Sequence, residues 1–126
     1  MSYAQAAATY QRNAVLNASP EKLVVLLYEG AIKNLEKARI GLAEASTARS
    51  AEVGDSLSRS IGIIGELRAS LDHTAGGDIA RDLDNLYEYG LDQLSQANLS
   101  RTPTGVENAL QVMRTLKEGW DGIVPN

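Results

Sequence analysis

A helix-start signal at Ser19, Pro20 and Glu21 leads directly into an unusually wide apolar surface, which limits how the chain can fold. A serine hydroxyl accepts hydrogen bonds from free amides, proline suits the first helical position, and glutamate complements the helix dipole. The residues that then repeat at alternating spacings of four and three are Val24, Tyr28, Ala31, Leu35, Ala38, Leu42 and Ala45. Those that lie outside this seam are Leu23, Leu26, Leu27 and Ile32. One neighbouring helix would not bury such a surface, so we expect several.

Three more amphipathic segments follow, and strand patterning is missing. We expect the second helix at about 51–71 and the third at about 78–97, after a turn at Gly76 and Gly77 with Asp78 at the new helix start. Thr102 and Pro103 repeat the first start signal, which predicts a fourth helix at about 103–123. With the first helix at about 20–45, short connections favour antiparallel neighbours. The predicted fold is all-α, an antiparallel up-down four-helix bundle.

The predicted second and third helices each carry a core-facing stripe. The stripe of the second is Val53, Leu57, Ile61, Ile64, Leu67 and Leu71, and that of the third is Ile79, Leu83, Leu86, Tyr87, Leu91 and Leu94. The second helix also contains Gly62 and Gly65, and each glycine costs about 1 kcal/mol relative to alanine in a helix interior. Either the core tolerates these glycines or a second backbone comes close to them, and we favour close packing.

Residues 1–17 differ from the rest because they are polar and alanine-rich, with Tyr3, Tyr10, Val15 and Leu16 as their only large apolar side chains. Such a segment cannot form a core. It is typical of a mobile arm or a short helix whose tyrosines dock into a groove. We therefore divide the chain into an N-terminal arm at 1–17 and a bundle at 18–126.

The composition excludes several classes of function. Cysteine is absent, so disulfides and thiolate metal sites are excluded. The formal net charge is −4 and the basic residues are scattered, so we expect no nucleic-acid partner. The longest strongly apolar run, 23–28, is far shorter than a membrane span and no leader signal is evident. We expect a cytoplasmic protein that does not insert into a membrane.

The sequence also lacks the residues for catalysis. The one histidine, His73, is predicted to lie in a loop, which excludes a di-iron bundle and leaves no catalytic triad. The acidic residues between Asp78 and Asp92 lack the loop glycine and ligand spacing of a calcium site. We therefore expect no enzyme, no metal and no cofactor. The remaining signal is surplus apolar surface at Leu23, Leu26, Leu27, Tyr28, Ile63 and Tyr89, which is typical of an interface.

Several short segments, in order and at consistent spacings, resemble the flagellin-export chaperone family known as FliS. They are Tyr10–Gln11, Ala18–Val24, Leu27–Ile32, Gly76–Ala80, Leu83, Leu86–Tyr89, Leu94, Ala97–Asn98 and Trp120. The resemblance covers nearly the whole chain. The antiparallel four-helix bundle of that family is also the architecture that the helical patterns predict.

The resemblance implies a chaperone in the bacterial cytosol that binds the C-terminal segment of new flagellin, prevents its premature polymerisation and delivers it to the type III export gate. The implied partners are that segment and the cytoplasmic domain of the export gate. In the family the N-terminal arm covers apolar surface and docks at the gate, and Tyr10 is the matching aromatic. For the cargo we expect contacts from Leu57, Ile61, Ile64, Leu83, Leu86 and Tyr87, with core packing as the alternative for each.

A second hypothesis is a homodimeric structural bundle, in which the surplus apolar surface meets a second copy of the chain. Weak self-association of a chaperone is an intermediate case. The two hypotheses differ in what covers the apolar surface, a foreign helical segment or the same chain.

Overall fold

The computed structural model describes residues 20–122, which form four helices. They are α1 (Pro20–Ala43), α2 (Ala51–Ala69), α3 (His73–Ser100) and α4 (Thr104–Asp121). Each helix packs on two others, because α1 and α3 both contact α2 and α4. The described residues contain no strand. The prediction of an all-α four-helix bundle is therefore confirmed, while the start signal at Ser19 lies outside the described residues.

The core lies along the axis of the bundle and contains one seam from each helix. The alternating spacing predicted for α1 is seen from Tyr28 to Leu42, whereas Ala45 lies beyond the helix end in an exposed turn. The buried apolar residues of α1 and α2 are Tyr28, Ala31, Leu35, Ala38, Leu42, Val53, Leu57, Ile64 and Leu67. Those of α3 and α4 are Ala80, Tyr87, Leu94, Ala97, Val106, Ala109, Leu110 and Met113.

The start of α3 differs from the prediction. Asp72 caps the helix, because its carboxylate accepts hydrogen bonds from the amides of Thr74 (3.1 Å) and Ala75 (3.0 Å). His73 is therefore the first helical residue and does not lie in a loop, and one short turn precedes Asp78, where the helix resumes after Gly77. Gly77 has φ 51° and ψ −123°, so it separates one short turn from the rest of α3. Glycine adopts this backbone without the strain of a side chain.

The sequence predicts a close approach of two helices at Gly62 and Gly65, but the structure has it at another glycine. A side chain at Gly62 or Gly65 would meet no atom within 4 Å, so close packing does not explain these glycines. A Cβ at Gly105 would instead collide with the backbone carbonyl of Gln93. The absence of a side chain at Gly105 therefore lets the start of α4 pack directly on α3.

Two loops lie together at the end of the bundle where α1 and α3 end. Ser50 caps α2 by accepting a hydrogen bond from the amide of Val53 at 3.2 Å. Thr102 does not cap α4 as predicted, because its hydroxyl bonds to that of Ser100 at 2.9 Å. Between α3 and α4, Arg101 reaches across to the first loop, where its Nη1 donates to the carbonyl of Ser50 at 3.2 Å. The guanidinium thus ties the two loops to each other.

Candidate partner-binding site

An open apolar basin of about 370 Å³ lies at the opposite end of the bundle, where α1 and α3 begin and α2 and α4 end. The four helices all contribute to it because their ends meet there. Its lining residues are Val24, Leu67, Ser70, Leu71, Asp72, Ala75, Gly76, Ile79, Ala80, Leu83, Tyr87 and Trp120. Among the described residues of this lining, Asp72 is the one that carries a charge, so the basin favours apolar ligand groups.

An apolar strip continues from the basin along α3. It consists of Ile79, Leu83 and Leu86, whose spacings of four and three place them on one helix face. Ile79 is 71% exposed and Leu86 is 39% exposed, and Leu83 between them is half-buried. A contiguous apolar surface of this kind is suited to burial against another chain.

A pair of buried tyrosines lies beneath the basin, and one of them, Tyr87, lines its floor. The hydroxyls of Tyr28 on α1 and Tyr87 on α3 are hydrogen-bonded to each other, and the ring centroids are 6.5 Å apart. Trp120 of α4 is partly buried against the same core. Burial in apolar surroundings raises the pKa of both tyrosines, since removal from water disfavours the phenolate. The floor is therefore neutral over the physiological pH range.

The structure places the predicted cargo-binding residues in three different environments. Leu57, Ile64 and Tyr87 are buried, so in this conformation Leu57 and Ile64 support the bundle from inside, while Tyr87 reaches the basin floor. Ile61 is half-buried against the core and does not line the basin. Leu83 lines the basin and Leu86 is exposed beside it, as described above. Tyr10 lies outside the described residues.

Other predictions about apolar residues need correction. The sequence predicts Tyr28 to be surplus surface, but this residue is fully buried. It predicts that Ile79 faces the core, but Ile79 lies at the basin mouth because the buried seam of α3 runs through Ala80, Tyr87 and Leu94. These three residues are spaced seven apart, which would have indicated the buried face of α3. The pattern is easily missed because alanine at position 80 is small. Leu26 and Tyr89 are exposed, in agreement with the prediction of surplus surface.

A second groove, near the middle and far end of α1, is less suited to apolar contacts. Its volume is about 770 Å³ and it lies between α1 and α2 around the exposed Ile40. Its walls carry charges of both signs, from Lys37, Glu44, Glu52, Asp55 and Arg59. Because charged walls disfavour burial of apolar groups, the basin is the stronger candidate for a partner-binding site.

The described part of the chain offers neither a metal site nor a membrane span. Within residues 20–122, no cluster of three or more histidine, aspartate or glutamate side chains has an arrangement that would hold a metal ion. None of the four helices combines the length and the apolar character that crossing a membrane requires.

Comparison with known proteins gives a consistent picture. The family model described as flagellar protein FliS matches residues 3–126. The chain is 38% identical over 109 residues to the flagellar secretion chaperone FliSB of Pseudomonas aeruginosa, covering 86% of this chain and 84% of that relative. It is 36% identical over 114 residues to the flagellar secretion chaperone FliS of Salmonella typhimurium, covering 90% and 82%. For FliS of Vibrio cholerae the identity is 34% over 108 residues, covering 86% and 77%.

Proposed function

The chain belongs to the FliS family of flagellar secretion chaperones, and from this premise we propose that it binds the C-terminal segment of newly made flagellin in the bacterial cytosol. Family membership confirms the resemblance found in the sequence, and chaperones are not an enzyme class. In this proposal the bound chaperone prevents premature polymerisation and delivers flagellin to the flagellar type III export gate.

The observation that carries the proposal is the open apolar basin together with its continuation along α3. Ile79 and Leu86 expose large aliphatic side chains to water beside a basin whose lining, as far as residues 20–122 form it, carries one charge. A chain segment that is disordered alone and helical when bound would bury this surface. The same burial would cover the apolar face through which such a segment contacts other copies of itself.

The predicted cargo-binding residues have different roles in this proposal. Leu83 and Leu86 contact the flagellin segment directly, and Ile61 extends the contact on α2. Leu57, Ile64 and Tyr87 hold the shape of the surface, since they are buried within the bundle. Tyr10 and the arm at 1–17 serve the contact with the cytoplasmic domain of the export gate, a role that the family resemblance supports.

Calorimetry and circular dichroism with a flagellin C-terminal peptide test the proposal. We expect one-to-one binding and a gain in helical signal that exceeds the sum of the separate components. A peptide of the same composition in scrambled order is the control. If the native peptide binds no more tightly than the scrambled one, or remains unstructured in the mixture, the proposed function is wrong.

A pair of variants on α3 tests whether the basin is the binding surface. Ile79→Lys places a charge at the basin mouth, whereas Leu99→Lys places the same charge at the far end of the helix, where Leu99 is 82% exposed. We expect Ile79→Lys to weaken peptide binding by about tenfold or more, because burying the ammonium group is unfavourable. Leu99→Lys should bind as the wild type does. Thermal unfolding should shift little for either variant, and equal affinities would exclude the basin.

Sedimentation distinguishes the chaperone from the homodimeric bundle. A monomer, or a weak self-associate that dissociates when the peptide is added, agrees with the proposed function. A tight dimer that persists with saturating peptide would favour the structural alternative, in which a second copy covers the strip on α3.

A further inference from the structure

The groove between α1 and α2 carries a charge pattern that is complementary to itself. Lys37, Ile40 and Glu44 follow one another along its α1 wall at spacings of three and four, and Glu44 is the residue directly after the helix. Ile40, in the centre, is 61% exposed. An exposed aliphatic side chain therefore has a cation on one side and an anion on the other.

The α2 wall of the groove has the same order of charges. α1 and α2 are neighbours joined by a short loop, and they pack closely at Gly41, where a Cβ would collide with the side chain of Val53. This contact sets the register of the two walls. Glu52 lies near the loop, as Glu44 does, whereas Arg59 lies toward the middle of the bundle. Both walls are thus anionic near the loop and cationic farther from it.

The two charges beside Ile40 have no counter-charge of their own. Within residues 20–122, no ion pair joins Lys37 or Glu44 to another side chain. Arg59, by contrast, pairs with Asp55 at 3.2 Å. Covering Ile40 without opposite charges would take Lys37 and Glu44 out of water unpaired, which is unfavourable. The groove therefore fits a partner that brings an anion to one side and a cation to the other.

We propose that a second copy of the chain is this partner, with its α1 antiparallel to the first across a two-fold axis. Lys37 and Glu44 are equally far along the chain from the midpoint between Ile40 and Gly41. A two-fold axis through that midpoint places Lys37 of each copy opposite Glu44 of the other, and it brings the two Ile40 side chains together. Such a contact uses the same patch on both copies, so the chain itself supplies every complementary group.

This self-association is weak and leaves the basin open. Exposed ion pairs contribute little, and a contact around one end of a helix is small, as in transient complexes. Val24, the α1 residue of the basin lining, lies about 24 Å from Ile40 along the helix. The proposed face is also distinct from the strip on α3 that the homodimeric alternative would cover. The inference therefore goes beyond the proposed function and does not depend on it.

Charge-swap variants of the full chain test this face by sedimentation equilibrium at an ionic strength of about 0.15 M, which screens the repulsion between two acidic chains. Lys37→Glu and Glu44→Lys each set like charges against each other on both sides of the contact. We expect either change to weaken self-association by about tenfold or more. The variant with both changes restores opposite charges at an unchanged net charge of −4, and it should associate within about threefold of the wild type.

An equimolar mixture of the two single variants should also recover association, because each supplies the charge that the other lacks. Glu66→Lys alters an exposed glutamate of α2 outside the groove and should associate as the wild type does. Circular dichroism verifies that the variants are folded.

Several results would overturn the inference. A wild type that remains monomeric at about 1 mM has no such face. Single variants that associate as the wild type does would place the contact elsewhere, as would a double variant or a mixture that stays as weak as the single variants. Saturating flagellin peptide should leave the self-association unchanged, and its loss would place the contact at the basin or the strip on α3. Peptide binding is measured separately, so the proposed function stands or fails independently.

Discussion

Arg101 combines an unusual backbone conformation with side-chain hydrogen bonds that link two loops. Among the described residues it is the one non-glycine residue with a positive φ, at 53°. A left-handed conformation disfavours a residue with a side chain by roughly 1–2 kcal/mol. The guanidinium compensates by donating to the carbonyls of Asn98 (2.9 Å) and Ser50 (3.2 Å), which connects the end of α3 to the loop before α2.

Substitution of Arg101 should separate these two effects. Arg101→Ala keeps the backbone strain and loses the guanidinium, so we expect a decrease of about 2 kcal/mol in the free energy of unfolding. Arg101→Gly loses the same hydrogen bonds but relieves the strain, and it should be more stable than the alanine variant by about 1 kcal/mol. Urea denaturation measures both values. An alanine variant as stable as the glycine variant would contradict the role of backbone strain.

For single residues, the sequence predicts burial well where large apolar residues repeat regularly along a helix. It predicts burial poorly where a small residue such as alanine occupies a buried position. Tyr87 and Leu94 are predicted to face the core because they are large and share a face. The same reasoning predicts a buried Ile79, although Ala80 occupies the buried position. Hydrophobicity alone does not tell which of two adjacent residues faces inward. The hydrogen bond between Tyr28 and Tyr87 is not predictable either, since 59 residues separate them.

Glycines within helices have opposite effects according to what lies beside them. Gly62 in α2 has open space where a Cβ would lie, whereas Gly105 in α4 faces the carbonyl of Gln93. We expect Gly62→Ala to raise the free energy of unfolding by about 1 kcal/mol through helix propensity alone. Gly105→Ala should lower it, because α4 must move away from α3 to admit the methyl group. Thermal unfolding with circular dichroism compares the two, and a destabilised Gly62→Ala would show that this position has an undetected contact.

The helices themselves are predictable because each combines a long periodic pattern with a recognisable start or stop. The start of α3 is less predictable. Its sequence has two candidates for a capping residue, Asp72 and Asp78, and the pair of glycines between them suggests that the later one begins the helix. The structure uses Asp72 and places the break at Gly77, which retains one extra turn. That turn contributes Ala75 and Gly76 to the basin wall, so the difference bears directly on the candidate site.

The two ends of the bundle differ in character. At one end Arg101 ties the two loops together through hydrogen bonds to Ala48 and Ser50. At the other end the helix ends surround an apolar basin with a kinked turn of α3 as part of its wall. Binding surfaces are commonly drawn from the less constrained parts of a fold. The end that Arg101 ties together therefore holds the four helices in register, while the end with the basin remains available to a partner.

The difference between the two ends of the bundle predicts how partner binding depends on salt and on temperature. The chain carries a net charge of −4, but the part of the basin lining that the structure describes includes a single carboxylate, so few ion pairs should form on binding. We expect the affinity for the flagellin peptide to change by less than about threefold between low and high sodium chloride, because salt screens charges and not apolar contacts. Calorimetry at several temperatures should give a negative heat-capacity change, which marks burial of apolar surface.

The Ile79→Lys variant is the matched control for this measurement, because its residual binding should bury less apolar surface and show a smaller heat-capacity change than the wild type. Leu99→Lys adds the same charge away from the basin and should reproduce both wild-type values. An affinity that falls steeply with salt in the wild type would mean that charged side chains dominate the contact. The exposed aliphatic residues of α3 would then not be the principal source of binding free energy, and the charged groove between α1 and α2 would become the better candidate.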